Sequence, residues 1–248
     1  MARRFTTFIA LAFGLLSGQP ALFSQEQVKI HFRTFGVGMD SFEGLYYNDG
    51  KEFISLEFEK TSRSSIDYQY SGTPQISIFT RNSTYQEHEP NSQEFLPLAK
   101  LRINRSLENA LLLLVAHPEN RQFLKEERQY KIFLLDDSPE AFPSNSINVI
   151  NATEVDLYGK VANAKITLPR NSNQLVNYSS FTSRNKPIPI AFAFNTDDGP
   201  RLTMSNEVPL SLNRRVILIL MNPRREGSIR IEVRTLIDLL APKEAGAE

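Results

Sequence analysis

The sequence contains no cysteine, no tryptophan and only three histidines among its 248 residues. The absence of cysteine excludes a disulfide framework, a thiolate metal site and a cysteine nucleophile. Each domain must therefore be stabilised by burial of apolar side chains alone. Basic and acidic residues are balanced at 28 each, so no excess of charge points to nucleic acid or to an anionic membrane surface.

The first 24 residues have the layout of a cleavable secretory signal peptide. Arg3 and Arg4 form a positively charged n-region, and residues 5–16 form an apolar stretch too short to span a bilayer as a stable helix. An N-terminal membrane anchor is the alternative, because Leu22 is a poor residue at the third position before a cleavage after Ser24. We expect a secreted or periplasmic protein without stable membrane insertion after signal cleavage.

An internal repeat links the two halves of the chain. Residues 110–118 read ALLLLVAHP and residues 215–223 read RVILILMNP, and each run precedes a charged loop and a second strand, at 130–135 or 229–234. The spacing between Pro118 and Pro223 is about the length of one small β-sandwich domain. We therefore predict an all-β fold of two tandem immunoglobulin-like β-sandwich domains related by an internal repeat.

Short alternating segments and turn residues support strands through most of the chain. Residues 28–33 alternate between apolar and polar side chains, which predicts a half-buried strand. Asn48-Asp49-Gly50 and the run 195–200 each predict a hairpin turn. Residues 107–115 also fit a helix capped by Ser106, although the β-branched residues of the repeat partner favour a strand. A helical turn is predicted at 119–128. In the second half, strands are predicted at 146–151, 154–158, 161–168, 188–195, 201–205, 215–221 and 228–235.

The predicted domain organisation follows from these patterns. Residues 1–24 are the signal peptide, and residues 25–136 the first sandwich. Residues 137–145 contain two prolines and several turn formers, which is typical of a linker, with Phe142 expected to pack onto a flanking domain. Residues 146–240 form the second sandwich, and residues 241–248 a disordered tail.

The runs 111–115 and 216–220 are apolar without alternation and have two interpretations. Each strand is either buried on both faces, between its own sandwich and the neighbouring domain, or an exposed edge that accepts a strand from a partner. Burial is favoured, because a long apolar edge promotes aggregation.

Tyrosines of the first half are candidates for glycan binding. Sugar-binding sandwiches offer exposed aromatic rings to the apolar face of a pyranose, and Tyr46, Tyr68 and Tyr70 are the candidate ligand-binding residues. Tyr68 and Tyr70 have the spacing that places both rings on one face of a strand. This interpretation requires that face to be exposed.

No pattern of residues indicates catalysis or metal binding. The sequence lacks a Gly-x-Ser-x-Gly elbow, a phosphate-binding glycine loop and a His-Glu-x-x-His motif. A hydrolase could use Asp136-Asp137 and Asp197-Asp198, but their places in a linker and a turn favour capping. Residues 87–89, Glu-His-Glu, fit a solvated loop better than a cation site. We predict no enzyme activity, no catalytic residue, no cofactor and no metal.

A signal peptide followed by two sandwich units resembles the layout of exported tandem immunoglobulin-like proteins, of which periplasmic pilus chaperones are one family. The resemblance covers architecture only and assigns no functional residue. It implies a non-enzymatic exported protein with a binding or assembly role at the cell envelope. An envelope protein or a polysaccharide is the expected partner, with a glycan-binding module as the alternative and a hydrolase third.

Overall fold

The fold consists of β-strands throughout. The structure is a computed structural model that describes residues 27–38, 42–88, 93–116, 130–181, 187–209, 213–225 and 227–239, and these residues form sixteen strands and no helix. In the first half the strands are β1 Val28–Val37, β2 Leu45–Asn48, β3 Phe53–Ser55, β4 Tyr68–Gly72, β5 Gln75–Arg81, β6 Phe95–Arg102, β7 Asn109–Ala116 and β8 Tyr130–Asp136. In the second half they are β9 Ser146–Ala152, β10 Leu157–Val161, β11 Ala164–Leu168, β12 Ser172–Asn177, β13 Ile188–Thr196, β14 Gly199–Val208, β15 Arg214–Met221 and β16 Glu232–Leu239.

The strands form two sandwiches with the same topology. The first sandwich pairs sheet A, in the order β4-β1-β7-β8, with sheet B, in the order β3-β2-β5-β6. The second pairs sheet C, in the order β12-β9-β15-β16, with sheet D, in the order β11-β10-β13-β14. Each strand of the first sandwich thus has a counterpart eight strands later. This repetition confirms the predicted fold class of two tandem β-sandwiches related by an internal repeat.

Each sandwich has its own apolar core. In the first, Ile30 and Leu112 of sheet A meet Leu45 and Ile78 of sheet B, and all four are buried. In the second sandwich, alternate residues of sheets C and D fill the equivalent space, among them Val149, Leu218, Leu157 and Phe192. Removal of these side chains from water is the main favourable term in each sandwich.

The two long apolar runs are central strands of their sheets. β7 lies between β1, to which it is parallel, and β8, to which it is antiparallel. β15 has the same position between β9 and β16. Because both edges of each strand are already paired, neither strand can accept a strand from a partner. The interpretation of burial on both faces is confirmed, and that of an exposed edge is wrong.

A third apolar core joins the two sandwiches. Alternate residues of β7 and β15 that point away from their own sandwich meet between sheets A and C. The buried members of this core, here called the joining core, are Phe35, Val37, Leu111, Leu113, Val115, Phe133, Leu135, Phe142, Ile150, Ala152, Ile217, Ile219, Met221 and Leu236. Seven come from sheet A, six from sheet C and one, Phe142, from the segment between β8 and β9.

The register of the repeat differs by one residue from the alignment of the two prolines. That alignment equates Leu111 with Val216, yet Leu111 points into the joining core and Val216 into its own sandwich. The orientation of the side chains instead equates Leu111 with Ile217. A shift of one residue moves every side chain of a strand to the opposite face, so burial decides between the two alignments.

Several predicted strand boundaries are wrong. The segment 161–168 is broken by a turn, because Ala162 has a φ of 52° and separates β10 from β11. The segment 154–158 becomes a strand only from Leu157, and the strand expected from Ile229 begins at Glu232. β12 was not predicted, because Ser172–Asn177 is a mostly polar edge strand. Residues 107–115 are a strand from Asn109 onward, whereas residues 1–26, 119–128 and 241–248 lie outside the described residues.

Buried ion pairs close one end of the joining core. Arg63, in the loop between β3 and β4, contacts Asp137 through two nitrogen–oxygen pairs of 2.8 and 3.0 Å and also binds Asp238 of β16. Arg215 donates to the Asp137 carbonyl at 2.9 Å, and its guanidinium lies 5.1 Å from the centre of the Phe142 ring. Burial lowers the pKa of Arg215, and the nearby Asp137 carboxylate opposes that shift.

Replacement of Phe142 should show how strongly the joining core stabilises the protein. Phe142 is 2% exposed, so Phe142→Ala removes a buried ring and should lower the free energy of unfolding by about 3–5 kcal/mol. Urea unfolding followed by tyrosine fluorescence measures the change. Leu175→Ala is the control, because Leu175 is 40% exposed, and should cost about 0.5 kcal/mol or less. Equal effects of the two substitutions would contradict a structural role for the joining core.

Candidate functional site

Two of the three predicted ligand-binding tyrosines lie in the core of the first sandwich. Tyr68 and Tyr70 share one face of β4, as their spacing predicts, but it is the inner face, and each residue is 5% exposed. The Tyr68 hydroxyl accepts a hydrogen bond from the Glu57 amide at 2.8 Å. The Tyr70 hydroxyl donates toward the Thr73 and Gln75 carbonyls at 3.0 and 2.9 Å. The expectation of an exposed face is therefore corrected for both residues, because their rings are covered by other core side chains.

Tyr46 lies on the opposite side, on the outer face of sheet B. It belongs to a cluster of four aromatic side chains, one from each strand of this sheet, here called the aromatic face: Tyr46 of β2, Phe53 of β3, Phe79 of β5 and Phe95 of β6. The Phe53 and Phe95 rings stack with centres 4.0 Å apart. Tyr46 meets Phe95 edge to face at 4.9 Å, and Phe79 meets Phe53 in the same way at 5.0 Å. Phe53 is 38% exposed, and the other three rings are partly exposed.

Local backbone features bring these four rings together. The predicted Asn48-Asp49-Gly50 turn joins β2 to β3, with Gly50 at a φ of 95°. Hydrogen bonds from the Glu52 and Lys51 amides to the Asp49 carboxylate fasten the turn and lower the pKa of Asp49. A β-bulge then shifts the register between β5 and β6 at Ile78/Phe79, as β6 contributes one extra residue.

The second sandwich has the same sheet without the cluster. Sheet D carries a register shift at Phe192/Ala193, which corresponds to the shift at Ile78/Phe79. The pairings of the two sheets then equate the four rings with the following residues of the second sandwich: Tyr46 with Tyr158, Phe53 with Lys165, Phe79 with Ala193 and Phe95 with Pro200. Three of the four positions are thus not aromatic in a sheet of the same topology. The fold therefore does not require aromatic residues at these three positions.

Beneath the aromatic face, Tyr47 is a buried phenol of the first core. It is 1% exposed and donates a hydrogen bond to the Gln69 carbonyl at 2.9 Å. Burial raises the pKa of Tyr47 to about 12, and the negative charge of Asp49 adds to the shift. Burial also raises the pKa of Tyr68 and of Tyr178, the latter in the second sandwich.

The acidic pairs mostly have structural partners. The Asp136 carboxylate caps a turn by accepting hydrogen bonds from the amide and hydroxyl of Ser138 at 3.0 and 2.6 Å. Asp137 binds Arg63, and Asp198 binds Arg201 at 2.8 Å. The two pairs therefore contribute to turns and ion pairs of different parts of the fold.

Metal-ligating side chains are not clustered in the part of the chain that the structure describes, which contains no group of three that would hold an ion. His88 is exposed, while Glu89 of the same triplet lies outside the described residues. His31 is paired with Asp67 through its Nδ1 atom at 3.2 Å.

Comparison with known proteins assigns no family. No protein-family model matches the sequence, and no curated protein matches it. Among the described residues no helix is long and apolar enough to cross a bilayer.

Tyr47 should make the protein less stable at alkaline pH. The folded state keeps the phenolic proton up to a pH of about 12, whereas the unfolded chain loses it near the ordinary value of 10.0. The contribution of Tyr47 to the free energy of unfolding is therefore fully present below pH 10. It falls by on the order of 2 kcal/mol as the pH rises toward 12. Tyr47→Phe should remove that part of the decline in urea unfolding between about pH 8 and pH 11. An unchanged slope of stability against pH in this variant would contradict the assignment.

Proposed function

We propose that the protein is a non-enzymatic exported binding protein with an assembly role at the cell envelope. The aromatic face of the first sandwich is its contact surface for a protein partner. The observation that carries this proposal is a cluster of four partly exposed rings that the equivalent sheet of the second sandwich lacks. The sequence of residues 1–24, which is typical of a signal peptide, supports a location in the periplasm or outside the cell.

The composition of the face favours a protein partner. Tyrosine and phenylalanine are enriched in the buried centres of protein interfaces, where each ring contributes a large apolar contact area. Three of the four rings belong to phenylalanine, which has no polar atom to bond with a hydroxyl-rich ligand. Beside the cluster, Arg81 and Glu94 form an ion pair at 3.1 Å, with side chains 63% and 38% exposed. Such a pair suits the polar rim of an interface.

Glycan binding is the second candidate, and Tyr46 is the residue that favours it. It is the one predicted tyrosine on an outer face, and it combines a ring with a hydroxyl group. Phe53 is 38% exposed, so the same cluster could present ring surface to the apolar face of a sugar.

The test exchanges residues of the aromatic face for those that the second sandwich has. Phe53→Lys with Phe79→Ala reproduces Lys165 and Ala193 and should leave the fold intact. The chain without residues 1–24 is used to capture proteins from an envelope extract, and the affinity for the captured partner is then measured. The double variant should bind that partner at least about 30-fold more weakly, the effect expected for loss of central interface residues.

Leu202→Lys is the matched control, because it adds a lysine to the outer face of the second sandwich at a position 60% exposed. It should bind the partner as the unaltered chain does. Equal binding by the double variant and the control would overturn the proposed surface. Binding to a polysaccharide panel that the double variant and Tyr46→Ala both lose, with no stoichiometric protein captured, would support the glycan candidate instead.

A further inference from the structure

A groove at the margin of the joining core is lined by both sandwiches. Its volume is about 360 Å³. The first sandwich contributes Phe35, Val37, Gly38, Lys60 and Thr61, and the second contributes Arg234 and Thr235. Phe35 and Val37 are 3% and 4% exposed and form the apolar floor, because they are also members of the joining core. The groove lies between sheets A and C and is thus separate from the aromatic face on sheet B.

The backbone fixes the two sides of this groove. The Gly36 amide donates to the Glu59 carbonyl at 2.9 Å, which holds the loop that carries Lys60 against β1. Arg234 is opposite Ile219 in the pairing of β15 with β16, so it belongs to the face of β16 that is directed toward the first sandwich. The buried ion pair from Arg63 to Asp238 links the same loop to the same strand. The backbone positions of Lys60 and Arg234 are therefore held by contacts at the interface of the two sandwiches.

Lys60 and Arg234 differ from the other cations along this interface. Arg63 is paired with Asp137, Lys131 with Glu154 at 2.7 Å, and Arg224 with Glu232. The side chains of Lys60 and Arg234 have no ion-pair or hydrogen-bond partner in the part of the chain that the structure describes. Glu59 is the nearest acidic residue in sequence to Lys60 and Glu232 the nearest to Arg234, but neither lines the groove, and Glu232 is paired with Arg224. Among the residues that the structure describes, the two positive charges that line this concave space thus have no acidic partner.

We infer that this groove binds a small anionic ligand, with Lys60 and Arg234 holding its carboxylate or phosphate group. Cations in a concave site with an apolar wall focus a positive potential and attract anions. Arg234 offers the planar guanidinium that binds two oxygens of such a group at once, and Lys60 offers a point charge. The Thr61 hydroxyl can donate a further hydrogen bond. The apolar floor of Phe35 and Val37 suits a ligand with an apolar part next to the anionic group.

The experiment titrates the chain without residues 1–24 with two probes, inorganic phosphate and hexanoate, and follows backbone amide signals by NMR. The signals of Gly38, Thr61 and Thr235 should shift together and saturate with at least one probe. Saturation with phosphate assigns the groove to phosphate groups, and saturation with hexanoate assigns it to carboxylates with an apolar chain. Lys60→Met with Arg234→Met should weaken that binding at least about tenfold, since two charged contacts are lost.

Lys51→Met with Arg225→Met is the matched control, because it removes the same charge from exposed positions that do not line the groove. It should bind within about twofold of the unaltered chain, which separates a local site from the effect of net charge. The inference is overturned if neither probe saturates these signals, or if both double variants weaken binding equally. Neither result bears on the aromatic face, so failure here leaves the proposed function in place.

Discussion

The contact between sheets A and C determines which surfaces of the protein remain accessible to ligands. β7 and β15 each divide their side chains between two apolar cores, one inside a sandwich and one shared by both. Parallel pairing on one side suits such strands, because parallel strands are found where both faces are covered. The centres of sheets A and C are thereby closed to ligands. Recognition is left to the outer faces of sheets B and D, to the strand edges and to the margins of the joining core.

Charges placed at one end of the shared core give it a defined orientation. An apolar contact between two sheets tolerates sliding, whereas Arg63 must meet Asp137 and Asp238 at fixed positions to offset the cost of its burial. Arg215 extends the same network to the ring of Phe142. These ion pairs therefore favour the one relative position of the two sandwiches that forms the groove beside Lys60 and Arg234.

Turn chemistry and apolar runs predicted the architecture well, but they did not predict which face of a strand is buried. The hairpin at Asn48-Asp49-Gly50 and the burial of β7 follow from local residue types and are present in the structure. Tyr68 and Tyr70 share a face as their spacing predicts, yet alternation alone does not distinguish an inner face from an outer one. The aromatic face was missed for another reason. Its members are far apart in sequence, and the sheet order, together with a bulge at Ile78/Phe79, brings them together.

The internal repeat supplies a comparison that a single sandwich would not. Residues kept in both copies, such as the apolar positions of β7 and β15, are explained by packing. The two copies differ at Phe53, Phe79 and Phe95, although the paired strands and the bulge are the same. A partly exposed ring gains little stability from burial, and a cluster of exposed rings favours association with other molecules. The second sandwich reaches the same fold without that cluster. Both sandwiches build the joining core, and under the proposed function the aromatic face, which the second sandwich lacks, is the surface that the first sandwich offers to a partner.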